Sequence, residues 1–147
     1  MKSYISIFML YMLLGATTNI HAQTAGEIHK TEQAIKPDGK YALLVMKPQH
    51  LKAGILSGEN FKMRNKDIDF QIVLCGEAVK ELLQDKSLQK LVVNTVKNHG
   101  LKILVCGLSL QQLGIDKALL PVETPVTDNG LIYFFGLEEQ GYKTIAL

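Results

Sequence analysis

Residues 88–107, LQKLVVNTVKNHGLKILVCG, decide the fold. Leu88, Leu91, Val92 and Val96 recur at helical spacing, which gives one apolar helix face, and Gly100 supplies the stop. Residues 101–106 (LKILVC) then form a short, nearly continuous apolar run, the mark of a strand buried on both faces, and Gly107 follows Cys106. An amphipathic helix running straight into a doubly buried strand is half of a parallel crossover unit.

The same alternation extends outward. Residues 41–46 (YALLVM) and 68–75 (IDFQIVLC) are two further buried-strand segments, the second ended by Gly76. Between them, residues 49–64 carry Leu51, Ile55 and Phe61 on a polar background, a helix pattern weakened by Gly54 and Gly58. Residues 77–84 carry Val79, Leu82 and Leu83 on one side of a second helix. Downstream, residues 121–125 are expected to add a short extended piece. Thr127 or Asp128 is expected to cap a helix bearing Leu131, Phe134 and Leu137, with Gly141 just past its end. That helix also carries Ile132 and Phe135. It has more apolar side chains than one face can bury, so Ile132, Phe134 and Phe135 are expected at an exposed subunit interface. Residues 142–147 read as a terminal strand. Strands separated by helices predict a three-layer α/β/α domain with a mostly parallel sheet.

Composition bounds the function. A chain of 147 residues, 47% hydrophobic and 20% charged, is long enough for one domain and too apolar for disorder. A net charge of +2 argues against a dedicated nucleic-acid binder, which carries a basic excess to neutralise phosphates. Two cysteines make neither a disulfide scaffold nor a four-cysteine zinc site. Lys2, the charge-free apolar run of residues 4–16 and the small Ala22 occur in the order of a signal peptide. Residues 1–22 are therefore expected to be removed on export to the periplasm or beyond, with no membrane association afterwards. Residues 23–40 read as a polar leader with a short ordered piece around residues 28–35, and residues 41–147 as the folded domain.

Open parallel sheets bind ligands outside the carboxyl ends of their strands. Three strand ends meet there: Lys47-Pro48-Gln49-His50, Cys75-Gly76 and Cys106-Gly107. No glycine-rich nucleotide loop, nucleophile elbow or His-Glu-x-x-His motif is present. His99 precedes the third strand and so lies at the wrong end, roughly 16 Å from Cys106. A thiol at the turn from strand to helix, as at Cys106, lies near backbone N–H groups and a positive helix end, both of which favour thiolate. Gly107 would let a partner approach the backbone closely. The same cysteine could equally pack as a small buried hydrophobe. Cys75 is opposed as a thiolate by nearby Glu77; a Cys75–Cys106 disulfide and a metal held with His50 complete the alternatives. Lys47 and His50 are the candidates for auxiliary positive charge.

Residues 98–110 (NHGLKILVCGLSL), followed by Gly114-Ile115, resemble the DsrE/DsrF-like family of small sulfur-relay proteins. The shared pattern is an apolar strand, a cysteine, a short helix and a glycine eight residues after the cysteine. Residues 69–79 (DFQIVLCGEAV) are similar to the family's second strand and its Gly-x-Ala-Val turn, and residues 137–145 contain the matching Gly141-Tyr142. The resemblance implies a five-stranded parallel sheet, assembly into homotrimers, hexamers or related oligomers, and a cysteine persulfide that passes sulfur between protein donors and acceptors. Cys106 matches that cysteine. Cys75 stands where many relatives have histidine, so the resemblance assigns it no role. No cofactor or metal is expected. Three functions follow: a sulfur carrier or sulfurtransferase-like protein using Cys106; a non-catalytic oligomeric or small-ligand-binding module; and an exported thiol–disulfide protein, against which stands the lack of a Cys-x-x-Cys pair.

Overall fold

The computed structural model describes residues 22–147. The signal-peptide expectation therefore falls, Ala22 apart, outside the described residues. Helix α1 (Ala25–Gln33) belongs to a separate unit that ends at Ile35. It is closed by a capping box, Thr24 and Glu27 each satisfying the other's backbone N–H, and it buries none of its side chains.

The second unit, residues 36–147, runs β1 (Lys40–Val45), α2 (Pro48–Arg64), β2 (Asp69–Leu74), α3 (Glu77–Gln84), α4 (Lys86–Asn94), β3 (Lys102–Cys106), α5 (Gly107–Leu113), β4 (Val126–Thr127), α6 (Gly130–Glu139) and β5 (Lys143–Ala146). All five strands are parallel, in the order β4-β3-β2-β1-β5. The chain thus steps outward from β1 to β4, and α6 then carries it back across the sheet to β5. Crossovers between parallel strands are right-handed, so this reversal of direction puts α6 on the opposite face from α2.

The strand alternation sorts the core accordingly. Gly54 of α2 packs on Leu43, Val45 and Ile72, and Gly58 on Phe70 and Leu101. The two glycines that weaken the helix pattern are therefore buried contact points where the helix backbone meets the sheet. On the other face Ala42, Leu44, Val73, Cys75 and Cys106 pack against Phe134, Leu137 and Tyr142. Phe134 is thus a core residue, only 5% exposed, which corrects its expected place at the surface. The helix turns Phe134 and Leu137 inward and leaves Leu131, Ile132 and Phe135 exposed.

Two local expectations are also corrected. The extended piece is Val126–Thr127 rather than residues 121–125, because residues 121–124 close a turn in which Thr124 donates twice to the Pro121 carbonyl. The cap of α6 is Asn129, whose side chain accepts from the N–H groups of Leu131 and Ile132. Thr127 is in β4, and Asp128 accepts from the Leu108 N–H through its backbone carbonyl. Helix α4 ends in a π turn (Thr95–His99) before Gly100, whose left-handed φ of 67° stops it.

Two glycine substitutions test this packing. A Cβ on Gly58 would overlap Leu101 and lie 2.8 Å from Phe70, whereas one on Gly136 of α6 meets nothing within 4 Å. Gly58→Ala is expected to destabilise the fold by about 1–3 kcal/mol through overpacking. Gly136→Ala is expected to stabilise it by about 0.5–1 kcal/mol through helix propensity. Denaturant unfolding of both variants checks the pair.

Candidate functional site: a thiol pair under a helix start

The register that pairs Leu74 with Val105 brings Cys75 and Cys106 side by side at the carboxyl ends of β2 and β3. Both thiols point to the face that α6 covers, and both are free and buried. Helix α6 begins directly on top of them. A Cβ on Gly130 would lie 2.6 Å from Cys75 Sγ and 3.2 Å from Cys106 Sγ, so only glycine lets the helix start approach this closely.

The first turn of α6 explains what the sulfur receives. Four N–H groups at a helix start lack intrahelical partners. Here the Asn129 side chain takes those of Leu131 and Ile132, while the first ordinary helical bond runs from the Tyr133 N–H to the Asn129 carbonyl. The N–H of Gly130 donates to Cys106 Sγ at 3.2 Å. The positive end of a ten-residue helix is thereby aimed at that sulfur.

Ser109 completes the surroundings. It lies three residues after Cys106, on the first turn of α5, where its hydroxyl accepts from the Gly76 N–H at 2.9 Å. That hydroxyl thus joins the two strand ends, with its own proton free to donate to sulfur.

The two thiols are driven apart in acidity. Burial alone would raise the Cys106 thiol. Donation by the Ser109 hydroxyl, by the N–H groups of Gly130 and Ser109, and by the Cys75 S–H outweighs it, and Cys106 lies below the ordinary thiol value. Cys75 moves the other way, pushed up to about 12 by burial, then by the negative charge of Cys106 and by donating its proton to Cys106; Ser109 opposes this weakly. The arrangement makes Cys106 the more acidic of the two thiols and Cys75 the one that keeps its proton.

The other candidate residues stand apart. Lys47 is the exposed N-cap residue of α2, and its side chain makes no capping bond. It follows β1, which lies beyond β2, two strand spacings of about 4.8 Å from β3. His50 sits in the first turn of α2 with its Nδ1 buried and unpartnered. Among the described residues neither side chain hydrogen-bonds a thiol, and no cluster of three metal-ligating groups occurs. His99 lies before β3, 3.9 Å from Glu59, at the far end from Cys106 as the strand arithmetic requires. The space beside Gly107 is filled by the chain itself: a Cβ there would meet the Thr127 carbonyl at 2.5 Å, so this glycine admits β4 rather than a partner.

Sequence reasoning therefore finds both cysteines and misses Ser109, Asn129 and Gly130. The spacing of Ser109, one helical turn after Cys106, was a usable signal. Gly130 had none, since its role depends on where α6 lands.

The model of the DsrE/DsrF-like family matches residues 29–147. A protein of unknown function from Methanobacterium thermoautotrophicum has a similar structure, with a TM-score of 0.66 and 16% identity over 75% of this chain and 100% of its own. A conserved protein of unknown function from Bacteroides thetaiotaomicron is comparable, with a TM-score of 0.63 and 18% identity over 78% of this chain and 99% of its own. At such identities the likeness is one of fold. No curated protein matches the sequence.

A pH titration of thiolate absorbance checks the split. The wild type is expected to titrate in two steps, one below the ordinary thiol range and one near 12. Cys106→Ser is expected to lose the lower step, and Cys75→Ala to move it upward by removing one donor. The linkage signs are opposite. The lowered Cys106 value contributes stability above its unfolded value that is lost as pH falls through the folded one. The raised Cys75 value contributes stability present at neutral pH and lost as pH rises toward about 12.

Proposed function

The chain belongs to the DsrE/DsrF-like family, a sulfur-relay-related family, and we propose from that premise that it carries sulfur as a persulfide on Cys106. One observation carries this reading: the Cys106 sulfur is held by neutral donors at a helix start while its neighbour stays protonated.

The chemistry needs a thiolate, which takes a sulfane atom from a donor, holds it, and yields it to an attacking thiolate. Gly130 N–H and Ser109 would stabilise the anion before and after loading. The Thr127 hydroxyl is paired in register with Cys106, is buried, and has no hydrogen-bond partner among the described residues. It supplies a free donor at the strand end, where the outer sulfur would sit. Cys106 is 3% exposed, which suits a cargo of one atom and excludes a bulky substrate at the sulfur.

The same proposal takes the protein as exported and self-associating. The exposed Leu131 (48%), Ile132 (71%) and Phe135 (60%) of α6 support a contact between copies on that face. No helix among the described residues is long and apolar enough to cross a membrane.

Reduced protein treated with a small sulfane donor and weighed intact tests the carrier. Weighed immediately after mixing, wild type and Cys75→Ser are expected to gain one sulfur atom, and Cys106→Ser none. Equal loading of wild type and Cys106→Ser would end the sulfur-carrier reading and favour a non-catalytic module in which Cys106 packs as a small core residue.

A further inference from the structure

Loading leaves Cys75 unused, although its thiol hydrogen-bonds the Cys106 sulfur. Cys75 and Cys106 are opposite one another on adjacent parallel strands, and such strands lie about 4.8 Å apart, within the range of backbone separations that a disulfide spans. Both sulfurs lie within 3.2 Å of one point, the place a Cβ on Gly130 would occupy. Cys75 is buried, and Cys106 is among the side chains packed against it.

We propose that Cys75 discharges the carrier: its sulfur attacks Cys106 Sγ and expels the outer sulfur as sulfide, leaving a Cys75–Cys106 disulfide. This rests on the persulfide reading above. The new bond joins the two Sγ atoms, and the bond from Cys106 Sγ to the outer sulfur breaks. The outer sulfur leaves with that electron pair and takes the proton of Cys75 as hydrosulfide. In this step the Cys75 sulfur is oxidised by one electron, the outer sulfur is reduced by one and Cys106 Sγ stays at its level, so no external oxidant enters. Two equivalents of a small thiol then return the pair to its free state.

The geometry gives the two cysteines separate tasks. Cys75 holds its proton firmly while Cys106 is an anion, so it does not compete for the donor. That same proton is directed at the Cys106 group, which is where a departing sulfide needs one. A carrier built this way empties itself when no acceptor arrives. It releases sulfide and closes as a disulfide between neighbouring strands, rather than holding a reactive persulfide indefinitely.

The test is a single-turnover load with methanethiosulfonate, a small donor whose leaving group is a sulfinate, so any sulfide detected comes from discharge. Wild type, Cys75→Ala and Cys106→Ser are followed by sulfide electrode and by intact mass without reductant. Wild type is expected to load, release one equivalent of sulfide per chain and end two hydrogens lighter, with a non-reducing peptide map linking residues 75 and 106. Cys75→Ala is expected to keep the added sulfur at least about tenfold longer and to release no sulfide, given the advantage of an attacking group already in place. Cys106→Ser should do neither. A wild type that keeps its sulfur as long as Cys75→Ala, with Cys75 free, overturns the discharge and leaves the carrier standing. Failure of every variant to load overturns the carrier itself. Should Cys75→Ala not fold, the wild-type map decides alone, since a persistent Cys106 persulfide beside a free Cys75 is the overturning result.

Discussion

The site depends on one hydrogen bond, from the first amide of α6 to the Cys106 sulfur. That amide is the first of the helix and has no intrahelical acceptor, and the Asn129 side chain takes the next two. For it to come within 3.2 Å, residue 130 must lack a side chain. For the helix to lie there at all, the chain must turn back after β4 and cross the strand ends toward β5. The far end of α6 is pinned as well. Tyr133 donates to the Gln71 side-chain oxygen, the Gln71 amide donates to the Tyr142 hydroxyl, and Tyr142 donates to Asp69, which Lys102 also binds at 2.7 Å. A buried glutamine would otherwise weaken a core strand; here both ends of its amide are satisfied, and the network fixes the helix against the sheet.

That dependence explains what could be foreseen. Strands ending at Cys75 and Cys106 follow from apolar runs of the right length, each closed by glycine, and the helices between them follow from periodicity, so the parallel sheet and its thiol-bearing edge were legible. The strand order was not, because no local pattern says that the last crossover reverses direction. From that reversal come three features that local reasoning missed. Phe134 is buried because α6 lies on the sheet rather than beside it. Asn129 rather than Asp128 caps the helix because the Asp128 carbonyl is tied to Leu108. A second positive helix end, that of α6, meets Cys106 alongside that of α5, whose Ser109 N–H also donates to the sulfur. Gly107 and Gly130 look alike in the sequence, yet one admits a strand and the other a pair of sulfurs.

Two thiols in contact cannot both ionise readily, and their surroundings decide which one does. Cys106 collects the donors, while Cys75 is buried and has chiefly Ser109 in its favour. Environments that push paired groups apart are a general means of assigning different roles to chemically identical residues. Because the charge of Cys106 itself holds Cys75 protonated, any chemistry that moves that charge outward by one atom relaxes the restraint on Cys75. In the proposed cycle, loading and discharge are coupled through this single electrostatic interaction rather than through a conformational change.

A cation beside Cys106 would have been the simpler way to stabilise a thiolate, yet Lys47 and His50 stay away from it. Neutral donors suit a carrier better. A fixed positive charge placed for the thiolate would favour the empty state as sulfur moved the charge outward, and one placed for the outer sulfur would trap the cargo. Oriented N–H and O–H groups spread along the strand end stabilise both anions to a similar degree. The loaded and empty forms then stay close in free energy, which is the condition for passing sulfur in either direction as donors and acceptors dictate. In such a site the direction of transfer is set by the partners, and the lifetime of the cargo by the neighbouring thiol.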